Sequence, residues 1–120
     1  MRHEFVRGWA AVLGFGAIVC TVQVAVAVDV SAVWDKHCGA CHGKDGTGDT
    51  KAGKLLQVRD LTDPERRATL TREHVREVTS KGIVDETTGK RRMKAYEDTL
   101  SPEEIDALAA HVLGFTKAAE

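Results

Sequence analysis

The sequence predicts an all-α domain of three or four short helices joined by long loops, behind an apolar leader. Three observations carry this. Apolar residues recur at helical spacing in several stretches, and none shows sustained period-two alternation. Glycines gather between those stretches, most densely from Gly43 to Gly53. Core material is also scarce. Apolar residues fill two thirds of the first 27 positions but only about a third of the other 93, where Trp34, Tyr96 and Phe115 are the sole aromatics. A domain of that size buries a limited share of its surface and is marginal without help. Something other than side chains must fill its centre. The length of 120 residues allows one domain, and three cysteines are too few for a disulfide-dense scaffold.

Residues 1–27 read as an export signal. Arg2 and Arg7 give a positive start, an apolar run extends from Trp9 to Cys20, and Ala25-Val26-Ala27 ends it with the small residues a signal peptidase reads. Left uncleaved, the stretch would act as an anchor, since Gly8 to Val28 is uncharged and long enough to span a bilayer. Cys20 is a passenger of the apolar run. Either way the domain, residues 28–120, is expected outside the cytoplasm. The chain's net charge of −1 gives no basic excess of the kind nucleic-acid binding needs.

In the domain, Val30, Val33, Trp34 and His37 lie at helical spacing after Asp29 or Ser31, either a plausible N-cap. From Gly43 to Leu61 the glycines predict a loop that lets backbone pass close to a ligand. Thr71 to Lys81 is a short helix with Val75 and Val78 inward and Gly82 as its stop. Gly82 to Thr99 is charged and irregular. Ser101-Pro102-Glu103-Glu104 then sets a capping box with Pro at the first helical position. Ile105, Leu108, Val112 and Phe115 follow as one amphipathic stripe.

Cys38-Gly39-Ala40-Cys41-His42 is the C-x-x-C-H pattern of covalent c-type haem attachment. On about one helical turn, two thiols three residues apart face one side and each reaches a porphyrin vinyl group. His42, next in sequence, is then positioned to put a ring nitrogen on the iron. A thioredoxin-like dithiol would sit beside a βαβ pattern, which is lacking. A structural zinc would need four ligands, and the domain has two cysteines. For the sixth iron position the domain offers one methionine, Met93, flanked by charged residues in a loop and so poorly placed as core filler. Among rival histidines, His37 lies too near His42 on the same helix, His74 sits among charges, and His111 reads as a packing residue. His/Met ligation raises the potential and leaves no open site for substrate, so the expected activity is electron transfer with no catalytic residues. If Met93 is not on the iron, the alternative is a five-coordinate haem enzyme or a gas or peroxide sensor.

The chain resembles a small single-haem class I cytochrome c of the bacterial periplasmic type. The resemblance rests on W-D-K-H-C-G-A-C-H-G-K-D-G-x-G-D at 34–49, R-D-L-T-D-P at 59–64 and R-M-K-A-Y-E-D-x-L-S-P-E-E-I at 92–105. It implies the class I fold wrapped around one haem c, thioethers at Cys38 and Cys41, His42 as proximal ligand and Met93 as distal ligand. It also implies that Trp34 crosses the C-terminal helix near Leu108 and His111, where His111 departs from the family's usual aromatic. Lys94 stands where many relatives have Pro. No Pro lies between Gly43 and Leu61 to orient the proximal imidazole. By similarity and charge, Arg59 is the expected partner of a haem propionate. The basic cluster Lys90, Arg91, Arg92 and Lys94 is the expected docking patch for acidic redox partner proteins, with the carrier itself a monomer.

Overall fold

Asp29 opens the first helix by accepting a hydrogen bond from the Ala32 amide with its side chain, and Lys36 and His37 complement the dipole at its other end. In the computed structural model, which describes residues 26–116, this helix, α1 (Val30–His37), runs into a single further turn, α2 (Gly39–His42). The reading of residues 1–27 as a leader lies outside the described residues but for Val26 and Ala27. Among the described residues no helix is long and apolar enough to cross a membrane.

The 43–61 stretch is less loop-like than the glycines imply, for it holds α3 (Lys51–Leu56). Thr50 caps α3 by accepting from the Gly53 amide, and the same hydroxyl donates to the Cys41 carbonyl at 2.8 Å. Gly53 is there for close approach. A Cβ at this position would run into the Gly48 carbonyl oxygen and lie 2.5 Å from that of Cys41. Gly53→Ala should therefore force α3 away from α2 and cost about 2–3 kcal/mol, as overpacking does, read as a lower melting temperature of the holoprotein. An unchanged melt would show that the two turns are not locked together.

A second unforeseen helix, α4 (Pro64–Thr69), starts from Asp63 as cap and Pro64 at its first position. Then α5 (Arg72–Lys81) is stopped by Gly82 at φ 73°, as the sequence predicts, while Thr71 stands outside it as the N-cap. The charged 82–99 stretch is not wholly irregular. It contains a small antiparallel hairpin, β1 (Ile83–Val84) and β2 (Arg91–Met93), with Ile83 opposite Met93 and a bulge between the pairs. Its turn is closed by the Asp85 carboxylate, which accepts from the amides of Thr87 and Thr88.

The last helix, α6 (Pro102–Gly114), carries the full capping box between Ser101 and Glu104. It is the spine of the core. Ile105, Leu108, Ala109 and Val112 are buried on it, against Trp34 and Cys38 from the N-terminal turns, Val75 from α5 and Leu100. At the α1–α6 contact the Trp34 ring meets His111 at 5.2 Å and Phe115 at 5.0 Å, so His111 serves as the aromatic the crossing requires. Arg72 donates from Nε to Asp106 Oδ1 at 2.9 Å and from Nη2 to Oδ2, a bidentate pair that ties α5 to α6. That hydrogen bonding holds the Asp106 carboxyl below the usual carboxylate range. The tie is present at neutral pH and lost as the medium is acidified through the lowered value.

Candidate functional site

The C-x-x-C-H residues occupy the corner between α1 and α2. The Cys38 amide still donates to the Trp34 carbonyl, while the amides of Cys41 and His42 turn back to the Cys38 carbonyl. That tight turn presents both thiols and the imidazole to a cavity of about 720 Å³ bounded by all six helices and the hairpin. Apolar side chains dominate the wall, including Trp34, Leu61, Leu70, Val75, Leu108 and Val112. Met93 reaches the cavity from β2, and its backbone is held by the close approach of Gly82, where a Cβ would strike the Met93 carbonyl oxygen. Groups far apart along the chain thus line one space.

Cys38 and Cys41 are both free thiols. Burial, then the nearby Cys41, pushes the Cys38 thiol up to about 11. A dithiol working by exchange needs a readily formed thiolate, so this environment argues against the thioredoxin-like alternative. Burial also lowers the His42 imidazole from its ordinary value, favouring the neutral ring whose lone pair can bind a metal. Its Nδ1 is buried and has no hydrogen-bond partner among the described residues. Trp34 lies 5.7 Å from the His42 ring and donates from Nε1 to the Gly43 carbonyl at 3.0 Å, which fixes the start of the loop after His42.

The other residues singled out in the sequence take separate places. Arg59 lines the cavity but is exposed. His37 keeps to the rim, its carbonyl accepting from the Tyr96 hydroxyl at 2.8 Å. Burial raises the Tyr96 phenol, which stays protonated as that donor. His74 is exposed at the cavity edge, and His111 does not line it. Of the basic cluster, Lys90, Arg91 and Lys94 are exposed, but Arg92 folds inward and donates to the carbonyls of Leu56 and Gln57 at 3.2 and 3.1 Å. Arg92 is therefore a brace between β2 and the end of α3 as well as a charge. Sequence reasoning missed Arg66, which lines the same cavity from α4.

A large apolar cavity, two unpaired thiols, a neutral imidazole and a thioether fit one covalently held porphyrin. Residues 25–112 match the family described as cytochrome c oxidase, cbb3-type, subunit III. The chain belongs to this family of c-type cytochromes. It is similar to cytochrome c6 of Nostoc sp. (strain PCC 7120 / SAG 25.82 / UTEX 2576), 31% identical over 90 residues that cover 75% of this chain and 71% of that one. Among solved structures it resembles the KustC0563 c-type cytochrome, with a TM-score of 0.66 and 32% identity over 75% of this chain and all of the other. A tyrosine-to-phenylalanine mutant of that protein is matched nearly as well, with a TM-score of 0.64 and 31% identity over 74% of this chain and all of the mutant. The cytochrome has the class I fold, binds haem c covalently and belongs among electron carriers.

Proposed function

We propose that this cytochrome is a periplasmic one-electron carrier whose haem is joined to Cys38 and Cys41 and ligated by His42 and Met93. The observation that carries this reading is the convergence of those four side chains on one mostly apolar cavity. The bound haem supplies an iron centre that accepts and returns one electron. The chain does the rest. Cys38 and Cys41 anchor, and the neutral His42 ring offers a nitrogen. Met93 offers a thioether that stabilises the reduced state and fills the remaining position. The apolar wall excludes water, and no residue is needed for acid–base or nucleophilic work. Periplasmic placement is supported by the sequence pattern of residues 1–27. The test is the spectrum of the oxidised protein. A low-spin form that resists added cyanide supports the carrier, and a high-spin, ligand-accepting form contradicts it.

The docking surface follows from the exposed members of the basic cluster. Arg91 and Lys94 border the edge where β1 and β2 meet the cavity, and Lys90 precedes them in the hairpin. Beside them Ile83 and Val84 are 41% and 46% exposed. Cations around a small apolar patch suit an acidic redox partner, with fast, salt-dependent encounter. Lys90→Glu with Arg91→Glu should slow electron exchange with such a partner at least tenfold at low ionic strength. The difference should vanish at high salt. Stopped-flow rates equal to the parent's at every salt concentration would refute the patch.

A further inference from the structure

Arg66 stands in the wall shared by the large cavity and a smaller open one of about 500 Å³ that Arg59, Asp60 and Asp63 also line. Its Nε is buried and has no hydrogen-bond partner among the described residues. A charged donor left buried and unpaired is costly, so a native site supplies it with an acceptor. Of the neighbouring carboxylates, the exposed Glu65 makes no ion pair or hydrogen bond with Arg66 among the described residues, and two are turned to local duties. Asp60 accepts from the amide and hydroxyl of Thr62, both at 2.7 Å, and Asp63 accepts from the Glu65 amide that starts α4. The adjacent Arg67 is already engaged, closing the end of α6 through the carbonyls of Leu113 and Phe115. Arg59, by contrast, is exposed, so water can serve its guanidinium.

Haem carries two propionate carboxylates, and a carboxylate is the acceptor a guanidinium fork fits best. We infer that Arg66, rather than Arg59, pairs with a propionate of the bound haem and, by holding positive charge there, raises the reduction potential of the iron. This rests on the covalent haem but not on the identity of the sixth ligand. Arg66 is a positioning residue: it fixes the charged edge of the cofactor on the α4 side of the cavity and biases the iron electrostatically.

The experiment compares holoproteins carrying Arg66→Gln, Arg66→Lys and Arg59→Gln, by midpoint potential and by redox-difference infrared bands of the haem carboxylates. R66Q should lower the midpoint and shift a carboxylate band. R66K, which keeps the charge but loses Nε, should return the midpoint most of the way while the band stays shifted. R59Q should leave both at the parent values. An R66Q protein with parental midpoint and bands overturns the inference, as does an R59Q protein that shows the shifts instead. If R66Q fails to accumulate as holoprotein, R66K decides alone, and a parental band in R66K overturns the pairing. A high-spin parent spectrum would remove Met93 from the iron and leave this comparison intact.

Discussion

Met93→Ala is expected to lower the reduction potential by a substantial part of the ~0.8 V range over which axial ligands set haem potentials, and to let added imidazole or cyanide bind the iron. The thioether favours reduced iron, so its removal favours the oxidised state. The change should remain local. Met93 is half-buried, and its backbone is kept in place by pairing with Ile83 and by Gly82. Truncating a buried Met costs about 2–5 kcal/mol, and a half-buried one falls at or below the low end, so the holoprotein should still fold. Voltammetry and ligand titration of the variant read both effects. An unchanged potential with no added-ligand binding would place another group on the iron.

The second large effect concerns folding. The double variant Cys38→Ala, Cys41→Ala should retain no covalent haem and be largely unfolded. Among the described residues the buried apolar core consists of eight, with one Trp and no Phe. Around it lies a cavity of about 720 Å³. At roughly 24 cal/mol per Å³, an empty cavity of that size would cost up to about 17 kcal/mol, an upper bound because the space opens to solvent. Even a fraction of that figure is large beside the about 5–15 kcal/mol by which typical domains are stable, so the chain is expected to lose this shape without its cofactor. Far-UV circular dichroism of the double variant should show little helix and no cooperative melt. A helical, cooperatively melting apoprotein would mean that the polypeptide alone specifies the fold.

What was legible in the sequence were features written in contiguous residues. The C-x-x-C-H turn, the Ser101-Pro102 start of α6 and the Gly82 stop of α5 each need only local chemistry, and all three stand where the sequence predicts. Helix α4 was passed over, although its start is written in contiguous residues. Asp63-Pro64-Glu65 repeats the cap-and-proline start of α6, but with no apolar stripe behind it the pattern is easy to pass over. Helix α3 was concealed by Gly53, which reads as a loop former and is instead required where α3 backbone crosses that of Cys41. The hairpin is too short for any periodicity, because its strands have two and three residues.

The site divides in the same way. Cys38, Cys41 and His42 are neighbours in sequence, and Met93 stands out because the domain has no other methionine. Their sharing of one cavity is tertiary, made by α3, α5 and the hairpin folding around it. The arginines were the least legible. Nothing in a run of charges distinguishes Arg92, spent on the carbonyls of Leu56 and Gln57, from the exposed Lys90 near it. Nor does it separate Arg66, with its orphaned Nε, from Arg67, which caps α6. Only long-range packing assigns those roles.

The most direct test of the central claim is a redox titration of the native protein followed by its visible spectrum. One reversible one-electron transition is expected, at the raised potential of His/Met ligation. The oxidised end should be low-spin and show a sulfur-to-iron charge-transfer band that disappears on reduction. A high-spin oxidised form without that band would contradict the claim.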